Sequence, residues 1–495
     1  MTLDLNKKLG QLFFTGFEGY SLTKQTKLFL ETIQPGGIVL FECNIKDKKQ
    51  VKDLIKEINN CLEIKPFIAV DQEGGSVERL RNICTSLPSV WGLSKIGLNE
   101  LLKAHEIIAD ELKELGFNMV FGPVLDINSN KANPIIGTRS ISFSPKIVSE
   151  YGSTIIELYI KKNIIPVAKH FPGHGDLNID SHLSLPVLNK EPEKLNDFEL
   201  SPFKKAIKSN VPLIMVGHIQ LPKIEKDNKK PASLSKKIIS DLLKKELGFK
   251  GLIITDELNM KGVTKNYPLT SAAHEAVLAG DDLLLFNWQN NLTLKAFNYL
   301  KEKSTKDKGL KHRIEESYKR IVLFKAKTID KSRFQKTTAS KINNHKIAQS
   351  LAEKVIHWVK KDLFFIPLKK TNNIEIIYPQ TPKLREIDLK NILKEVSFKN
   401  YSLHFYSLNP SFKEIKAILK KPKLNSRKIL ISYDIAARTR QKSLILSLLS
   451  KYPELIVISV GLEYDLELLP EIKNFISAYA PNYVSVKAAF SRLIS

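Results

Sequence analysis

Short apolar segments rich in β-branched residues recur along the first 290 residues, separated by longer stretches of mixed polarity. Nearly all of these segments are continuously apolar, which is typical of parallel strands buried on both faces. The pattern predicts eight buried strands, at QLFFTGF (11–17), GGIVLF (36–41), FIAVDQE (67–73), NMVFGPVLDIN (118–128), IIPVAKHF (164–171), PLIMVGHI (212–219), GLIITDEL (251–258) and DDLLLF (281–286).

Helical signals fill the stretches between these strands. Apolar residues recur at helical spacing from Leu101 to Leu115, and Gly116 suits the end of that helix. The pairs Ser144-Pro145 and Ser201-Pro202 combine an N-cap residue with a proline suited to the first turn. Strands that alternate with helices over about 300 residues predict an α/β fold, a (β/α)8 barrel. A doubly wound sheet is the alternative.

A second alternating region follows a basic helix and a polar stretch. We predict a catalytic barrel over residues 1–330, a linker over 331–350 and a C-terminal α/β domain over 351–495. The helix preceding the linker is HRIEESYKRIVLFKAK. The strands predicted in the second domain are IEIIYP (374–379), SLHFYS (402–407), KILISYDI (428–435), ELIVISVG (454–461) and NFISAYA (474–480).

Composition narrows the class of protein. The mean hydropathy of −0.16 and the 43% of hydrophobic residues indicate a folded globular chain. No apolar run is long enough to cross a membrane, and the N-terminal residues do not resemble a signal peptide. Three scattered cysteines indicate reduced thiols. We therefore expect a cytoplasmic protein without a membrane partner.

The net charge of +25 raises the question of an acidic partner. Residues 301–350 contain 15 Lys and Arg against 5 Asp and Glu, an excess of ten positive charges. Nucleic-acid binding would favour interleaved aromatic residues or a recognition-helix motif, and this stretch has neither. We interpret it as a solvated basic segment and expect no nucleic-acid partner.

Polar residues follow five successive predicted strands. Because the carboxyl ends of barrel strands meet at one face, where catalysis takes place, this arrangement predicts one shared pocket for a polar ligand. The residues concerned are Asp71, Glu73 and Arg79 after the third strand, Asp126 and Arg139 after the fourth, Lys169 to His182 after the fifth, His218 after the sixth, and Asp256 and Glu257 after the seventh.

The segment KHFPGHGDLNIDSHLSLP, residues 169–186, concentrates three histidines and two aspartates. Three interpretations are open: a metal site, a proton-transfer site, or a polar loop whose side chains form hydrogen bonds with its own backbone. Metal-dependent barrel hydrolases usually have an H-x-H pair after the first strand, which GQLFFTGFEGY lacks. Asp180 could orient the His182 ring and stabilise its protonated form, so that the pair acts as acid and then base.

Asp256 lies directly after a very apolar strand, in GLIITDELNMKG. A carboxylate at this position could cap the next helix. It could instead be the nucleophile of a retaining glycosidase, attacking the anomeric carbon while an acid protonates the leaving oxygen. The residues alone leave both interpretations open.

These segments closely resemble bacterial β-N-acetylhexosaminidases of glycoside hydrolase family 3. The signature K-H-F-P-G-H-G-x4-D-S-H-x3-P stands at residues 169–186, and the resemblance extends over about residues 5–330. The second region resembles the α/β sandwich domain of two-domain members. The other matching blocks, in order, are GQLFFTGFEG, PGGIVLF, VDQEGGSVERLR, FGPVLDIN, NPIIGTRS, MVGHIQLP and IITDELNMKGV.

The resemblance implies a retaining β-N-acetylglucosaminidase that needs no metal or other cofactor. It implies Asp256 as nucleophile and His182 as acid/base with Asp180 as its partner. It also implies that an N-acetylglucosamine unit is held by Asp71, Arg79, Arg139, Lys169 and His170.

One residue departs from the family pattern. Ser76 stands where the family usually has arginine after the paired glycines, so a positive charge is missing near the rim of the pocket. We expect action on muropeptides or chitooligosaccharides, in cytoplasmic peptidoglycan recycling. The alternatives are a β-glucosidase or another β-glycosidase of the family, or a catalytically silent glycan-binding protein. Glycosyl transfer to phosphate, in competition with hydrolysis, is a further hypothesis.

Overall fold

The computed structural model describes residues 5–181, 183–287, 291–329, 341–363, 365–422 and 425–494. The first domain is built from short strands that coincide with all eight predicted apolar segments. A small hairpin, β4–β5, is added directly after β3. The strands are β1 (Phe13–Thr15), β2 (Gly37–Val39), β3 (Phe67–Val70), β4 (Gln72–Gly74), β5 (Val77–Glu78), β6 (Met119–Val120), β7 (Ile165–Phe171), β8 (Leu213–Val216), β9 (Leu252–Thr255) and β10 (Leu284–Phe286).

Eight of these strands form one parallel sheet in the order β10-β1-β2-β3-β6-β7-β8-β9. A parallel bridge between Ile254 and Leu283 joins the two ends of the sheet, which makes it a nearly closed barrel. Phe13, Phe67 and Met215 belong to the apolar cluster formed by the barrel strands and the helices around them. The predicted barrel is confirmed, and the doubly wound alternative is wrong for this domain.

Helices surround the barrel, and their ends follow the local signals only in part. The side chain of Ser144 accepts a hydrogen bond from the Ile147 amide, as an N-cap should. Ser201 is instead the first helical residue, so its predicted capping role is wrong. A helix of π type spans Lys237–Glu246. The α-helices are α1 (Leu5–Gly10), α2 (Lys24–Ile33), α3 (Lys48–Cys61), α4 (Val90–Ile96), α5 (Leu98–Leu115), α6 (Pro145–Lys161), α7 (Pro192–Asp197), α8 (Ser201–Lys208), α9 (Lys261–Thr264), α10 (Leu269–Ala279), α11 (Asn291–Lys306) and α12 (Lys308–Thr328).

The second domain is a six-stranded sheet flanked by helices, in the order β11-β16-β15-β14-β12-β13. Five strands are parallel and match the predicted segments, whereas the antiparallel edge strand β11 was not predicted. The strands are β11 (His357–Lys360), β12 (Asn373–Pro379), β13 (Asn400–Tyr406), β14 (Arg427–Ser432), β15 (Ile456–Ser459) and β16 (Asn474–Ser477). The helices are α13 (Lys341–Val355), α14 (Glu386–Glu395), α15 (Phe412–Leu419), α16 (Thr439–Lys451) and α17 (Tyr483–Arg492).

The second domain is docked on the side of the barrel that carries the β4–β5 hairpin. The side-chain amide of Asn482 donates to the Leu87 carbonyl at 2.6 Å, and the Trp91 indole donates to Glu463 at 3.3 Å. Asn482 and Glu463 follow β16 and β15. The carboxyl ends of the second sheet therefore face the loops at the carboxyl end of the barrel. In the described residues, no helix has the length and apolarity needed to cross a membrane.

Candidate active site

A cavity of about 150 Å³ opens at the carboxyl ends of the barrel strands. Its wall combines charged residues with apolar ones such as Phe41, Phe121 and Met215. Every residue that the sequence suggested for sugar binding, together with the suggested nucleophile, lines this cavity: Asp71, Arg79, Arg139, Lys169, His170 and Asp256. The shared pocket that was predicted from strand ends is present.

Glu73 is the centre of a buried ionic network on one side of this cavity. Its carboxylate accepts two hydrogen bonds from the Arg139 guanidinium, both at 2.9 Å. The Lys169 ammonium lies 2.7 Å from Glu73 Oε1 and donates at 2.7 Å to Asp71 Oδ1. Glu73 and Lys169 are almost inaccessible to solvent, so each charge depends on its neighbours for compensation.

The network holds its members in their charged forms. Burial by itself would raise the pKa of Glu73, but the charges of Arg139 and Lys169 outweigh it and hold that pKa well below its ordinary value. For Lys169, burial lowers the pKa, but the carboxylates of Asp71 and Glu73 outweigh it and raise the pKa. The cavity therefore presents cationic hydrogen-bond donors and anionic acceptors in fixed positions, and both suit the hydroxyl groups of a sugar.

Asp126 holds the loop that follows β7. Its carboxylate lies 2.7 Å from His170 Nδ1 and accepts the His174 backbone amide at 2.6 Å. The tight approach of the loop to the segment that follows β6 depends on Gly175, where a Cβ atom would lie 1.8 Å from the Ile127 carbonyl oxygen. Burial would raise the pKa of Asp126, but His170 outweighs it and lowers that pKa. The His170 ring is thus held in one orientation at the cavity wall.

His174 is a buried, neutral part of the same loop. Burial lowers the pKa of its ring to about 4. Its Nε2 atom lies 3.1 Å from the Ser181 hydroxyl, which ties the start of the loop to its end. His174 and Ser181 both line the cavity. The ring therefore remains uncharged near neutral pH.

The suggested acid/base pair is described only in part. Asp180 is half-buried, and its carbonyl accepts the amides of Leu183 and Ser184. His182 lies outside the described residues. Ser181, between the two, accepts the Gly262 amide through its carbonyl at 3.0 Å, which places this segment beside α9, the helix that follows Asp256. The pairing of Asp180 with His182 stays a prediction from the sequence.

Asp256 extends from the end of β9 into the cavity. Its Oδ1 atom accepts the Glu257 amide at 2.7 Å, and its own amide donates to the Val216 carbonyl at 2.9 Å. The next helix, α9, has Met260 at its N-cap position, so Asp256 does not cap it. The structure thus removes the capping interpretation that the sequence left open.

Asp256 faces the ionic network from the opposite side of the barrel. In the order of the eight strands, β9 and β3 are four strands apart in either direction. Asp71 and Glu73 follow β3, whereas Asp256 follows β9. The cavity is therefore bounded by a carboxylate on one side and by charged groups that suit sugar hydroxyls on the other.

The sequence indicated some polar residues without indicating their role. Glu73 and Asp126 were recognised only as strand-end residues, and the structure makes them the partners of Arg139, Lys169 and His170. His218 donates through Nε2 to the Glu257 carbonyl at 2.8 Å, and its Nδ1 lies 2.7 Å from the Ser233 hydroxyl oxygen. Among the described residues, no group of three His, Cys, Asp or Glu side chains is arranged to hold a metal ion.

Comparisons with known proteins agree on one family. The family model described as "Glycosyl hydrolase family 3 N terminal domain" matches residues 4–323. Beta-hexosaminidase A of Pseudoalteromonas piscicida is 35% identical over 272 residues, half of this chain but only 45% of that protein. Beta-hexosaminidase of Nitrosomonas eutropha is 32% identical over 274 residues, 54% of this chain and 78% of that protein.

A solved structure extends the similarity to both domains. The glycoside hydrolase family 3 beta-N-acetylglucosaminidase from Paenibacillus sp. str. FPU-7 superimposes with a TM-score of 0.90 at 30% identity. The superposition covers all of this chain and 97% of that chain. The predicted succession of a barrel and an α/β domain is thus found in a solved relative.

Proposed function

Since the chain belongs to glycosyl hydrolase family 3 and is a glycoside hydrolase, we propose that it is an exo-acting, retaining β-N-acetylglucosaminidase. The observation that carries this proposal is the cavity in which Asp256 faces the Asp71–Lys169–Glu73–Arg139 network. The names of the relatives, which are hexosaminidases and an N-acetylglucosaminidase, support the choice of sugar.

In the proposed first step, the Asp256 carboxylate attacks the anomeric carbon and a covalent glycosyl-enzyme forms. The leaving oxygen takes a proton from His182, whose ring is oriented by Asp180. In the second step His182 accepts a proton from water, which attacks the same carbon and releases the sugar. A histidine can do both because its ordinary pKa lies near neutrality.

The charged network would hold the terminal sugar during both steps. Lys169 and Arg139 donate hydrogen bonds to hydroxyl oxygens, and Asp71 accepts from hydroxyl groups. His170 and Arg79 complete the set of proposed sugar ligands. Because Glu73 and Asp126 fix these groups before the substrate arrives, little reorganisation is needed when the ring is positioned for attack.

We propose muropeptides or chitooligosaccharides as natural substrates, in cytoplasmic peptidoglycan recycling. This choice rests on the sequence resemblance. We also retain the proposed boundaries, with the barrel at 1–330, the linker at 331–350 and the second domain at 351–495; helix α13 begins inside that linker.

The test is hydrolysis of 4-nitrophenyl β-N-acetylglucosaminide beside the corresponding β-glucoside, with and without EDTA. We expect turnover of the first, little of the second, and no effect of EDTA. Asp256→Ala should lose at least about 10³-fold in kcat without a change in thermal stability.

Three outcomes would contradict the proposal. Preferential turnover of the glucoside would favour a β-glucosidase. Tight glycan binding without turnover would favour a binding protein. An active Asp256→Ala variant would remove the nucleophile.

A further inference from the structure

A cleft of about 440 Å³ lies between the two domains, beside the candidate active site. One wall comes from the β4–β5 hairpin and the residues after it, and the other from α13, α14, α17 and the loop that follows β12. Arg79 lines both this cleft and the catalytic cavity. A group bound in the cleft would therefore lie next to a sugar bound in the cavity.

Lys383 is one of the second domain's cations at this cleft. It lies in the loop after β12, and its ammonium is 3.5 Å from the Tyr433 hydroxyl. The loop is attached to the barrel, because the Arg81 guanidinium donates to the Pro382 carbonyl at 2.9 Å. Lys383 is only partly accessible to solvent. Its position is therefore set by contacts from both domains.

The other cations of the cleft are neutralised by carboxylates. Arg81 pairs with Glu42 at 2.5 Å, Arg385 with Asp388 at 2.9 Å, and Lys487 with Glu395 at 2.5 Å. These pairs contribute no net charge to the cleft. Only the cations outside such pairs can attract an anion.

Arg79 and Lys383 differ from these neighbours. Among the described residues, neither has a carboxylate oxygen within 4.0 Å of its side-chain nitrogens, and the buried Nε of Arg79 has no hydrogen-bond partner. Glu78 also lines the cleft, but its carboxylate already accepts the Leu87 amide and the Ser86 hydroxyl. Two cations outside close ion pairs thus border the same cleft.

The position of this pair relative to Asp256 indicates which part of a sugar it would meet. The anomeric carbon must lie against Asp256, and Arg79 lies on the opposite side of the barrel, after β3. In a pyranose ring C4 is opposite C1, and C6 extends from the neighbouring C5. The 4-position and 6-position of the bound sugar would therefore point to Arg79 and the cleft.

We propose that Arg79 and Lys383 form a subsite for an anionic ester, phosphate or sulfate, on the 6-position of the terminal N-acetylglucosamine. The inference rests on the proposed function, because it places that sugar's anomeric carbon at Asp256. Arginine and lysine donors suit the oxygens of such an ester. Ser76 lines the same cleft and stands where the family pattern has arginine. In this chain Lys383, from the second domain, provides a positive charge at that cleft.

The first test compares 4-nitrophenyl β-N-acetylglucosaminide with its 6-phosphate and 6-sulfate. The wild-type enzyme should prefer at least one ester, and Lys383→Met should lower the ester-to-neutral ratio of kcat/KM about tenfold. Lys383→Arg, which keeps the charge, should restore most of the ratio. Lys413→Met, which removes an exposed lysine from the same domain, should leave the ratio unchanged.

A second test separates this subsite from the proposed function. Calorimetry measures binding of N-acetylglucosamine 6-phosphate, the 6-sulfate and the unmodified sugar to the wild type and to Lys383→Met. Tighter binding of an ester that is lost in Lys383→Met supports the subsite even if no glycoside is hydrolysed, and the more tightly bound ester identifies the anion. Turnover of the neutral glycoside without any preference for an ester, in kinetics and calorimetry alike, overturns the subsite and leaves the proposed function intact.

Discussion

Buried charges at the active site are stable only as a set. Glu73 accepts from Arg139 and contacts Lys169, and Lys169 also donates to Asp71. Removing one partner leaves another charge in a low-dielectric surrounding, which costs more free energy than the pair contributes. The same residues that position the sugar therefore also contribute to stability.

Glu73→Gln tests this dependence. The amide keeps the shape of the side chain but removes the charge between Arg139 and Lys169. We expect the free energy of unfolding to fall by about 3 kcal/mol, and KM for the aryl glycoside to rise because the two cations lose their fixed positions. The measurements are urea unfolding and steady-state kinetics.

The matched control is Glu63→Gln, which breaks the exposed Lys7–Glu63 ion pair. It should change the free energy of unfolding by less than about 1 kcal/mol and leave KM unchanged. Equal effects of the two substitutions would contradict a special role for Glu73.

His182→Ala tests the proposed acid. Leaving groups that are poor need protonation most, so turnover should fall much more for an alkyl glycoside than for a 4-nitrophenyl glycoside. The measurement is kcat/KM across a series of leaving groups. A loss of the same size throughout the series would exclude His182 as the acid of the first step.

At the scale of single elements, helix α12 closes the amino end of the barrel. Its buried face contains Leu310, Ile314, Ser317, Ile321 and Lys325, at helical spacing. The Lys325 ammonium donates to Gln11 Oε1 at 2.8 Å and lies 4.9 Å from the Phe67 ring centroid. The basic segment, which the sequence predicts to be solvated, therefore contains a buried lysine, Lys325. Helical periodicity identifies the buried face of α12. Because a lysine is expected on the surface, the sequence did not indicate that Lys325 belongs to that face.

Lys325→Met should stabilise the protein. Burial lowers the pKa of Lys325 to about 7. Between this value and the ordinary lysine pKa, Lys325 is protonated in the unfolded chain but neutral in the folded protein. The free energy of unfolding of the wild type therefore rises with pH in this window. The cost of burying Lys325 is largest below about pH 7, where the side chain is charged in both states. We expect Lys325→Met to gain at least about 2 kcal/mol at pH 6.5 and less at pH 9.5. Urea unfolding at both pH values measures the difference, and a gain independent of pH would contradict it.

At the scale of the whole molecule, the second domain supports the catalytic face. Asn482 donates to the Leu87 carbonyl and to Glu78, which belongs to the β4–β5 hairpin, and Arg79 follows directly. Glu463 contacts both Trp91 and Lys95 on α4. The hairpin that carries a proposed sugar ligand is thus held from both domains.

Asn482→Ala tests this support. The substitution removes the contacts with the hairpin and also the N-cap of α17, and it should cost about 1–3 kcal/mol of stability and lower kcat/KM. Ser411→Ala removes the N-cap of α15 in the same domain, away from the barrel. It should lose stability without losing activity. Equal losses of activity in both variants would argue against support through the hairpin.

Whether a structural feature could be predicted from the sequence depended on how far apart in the chain its interacting residues lie. Continuous apolar runs determined the eight barrel strands and four of the five parallel strands of the second domain, because burial on both faces leaves a local pattern; the fifth, β13, is a mostly exposed edge strand. The edge strand β11 was not predicted, because its pairing partners lie in β16, more than 100 residues along the chain. Strand-end position likewise predicted that Asp71, Arg139, Lys169 and Asp256 share a pocket.

The sequence by itself determined the alternation of strands and helices, the family signature and the crowding of polar residues at strand ends. Only the tertiary structure decided that the sheet closes into a barrel, that Glu73 joins Arg139 to Lys169, and that Asp256 lies opposite them. It alone placed Lys383, some 300 residues along the chain from Arg79, at the same cleft. These are contacts between distant segments, whose energies depend on distance and burial, and no local pattern of residues records either quantity.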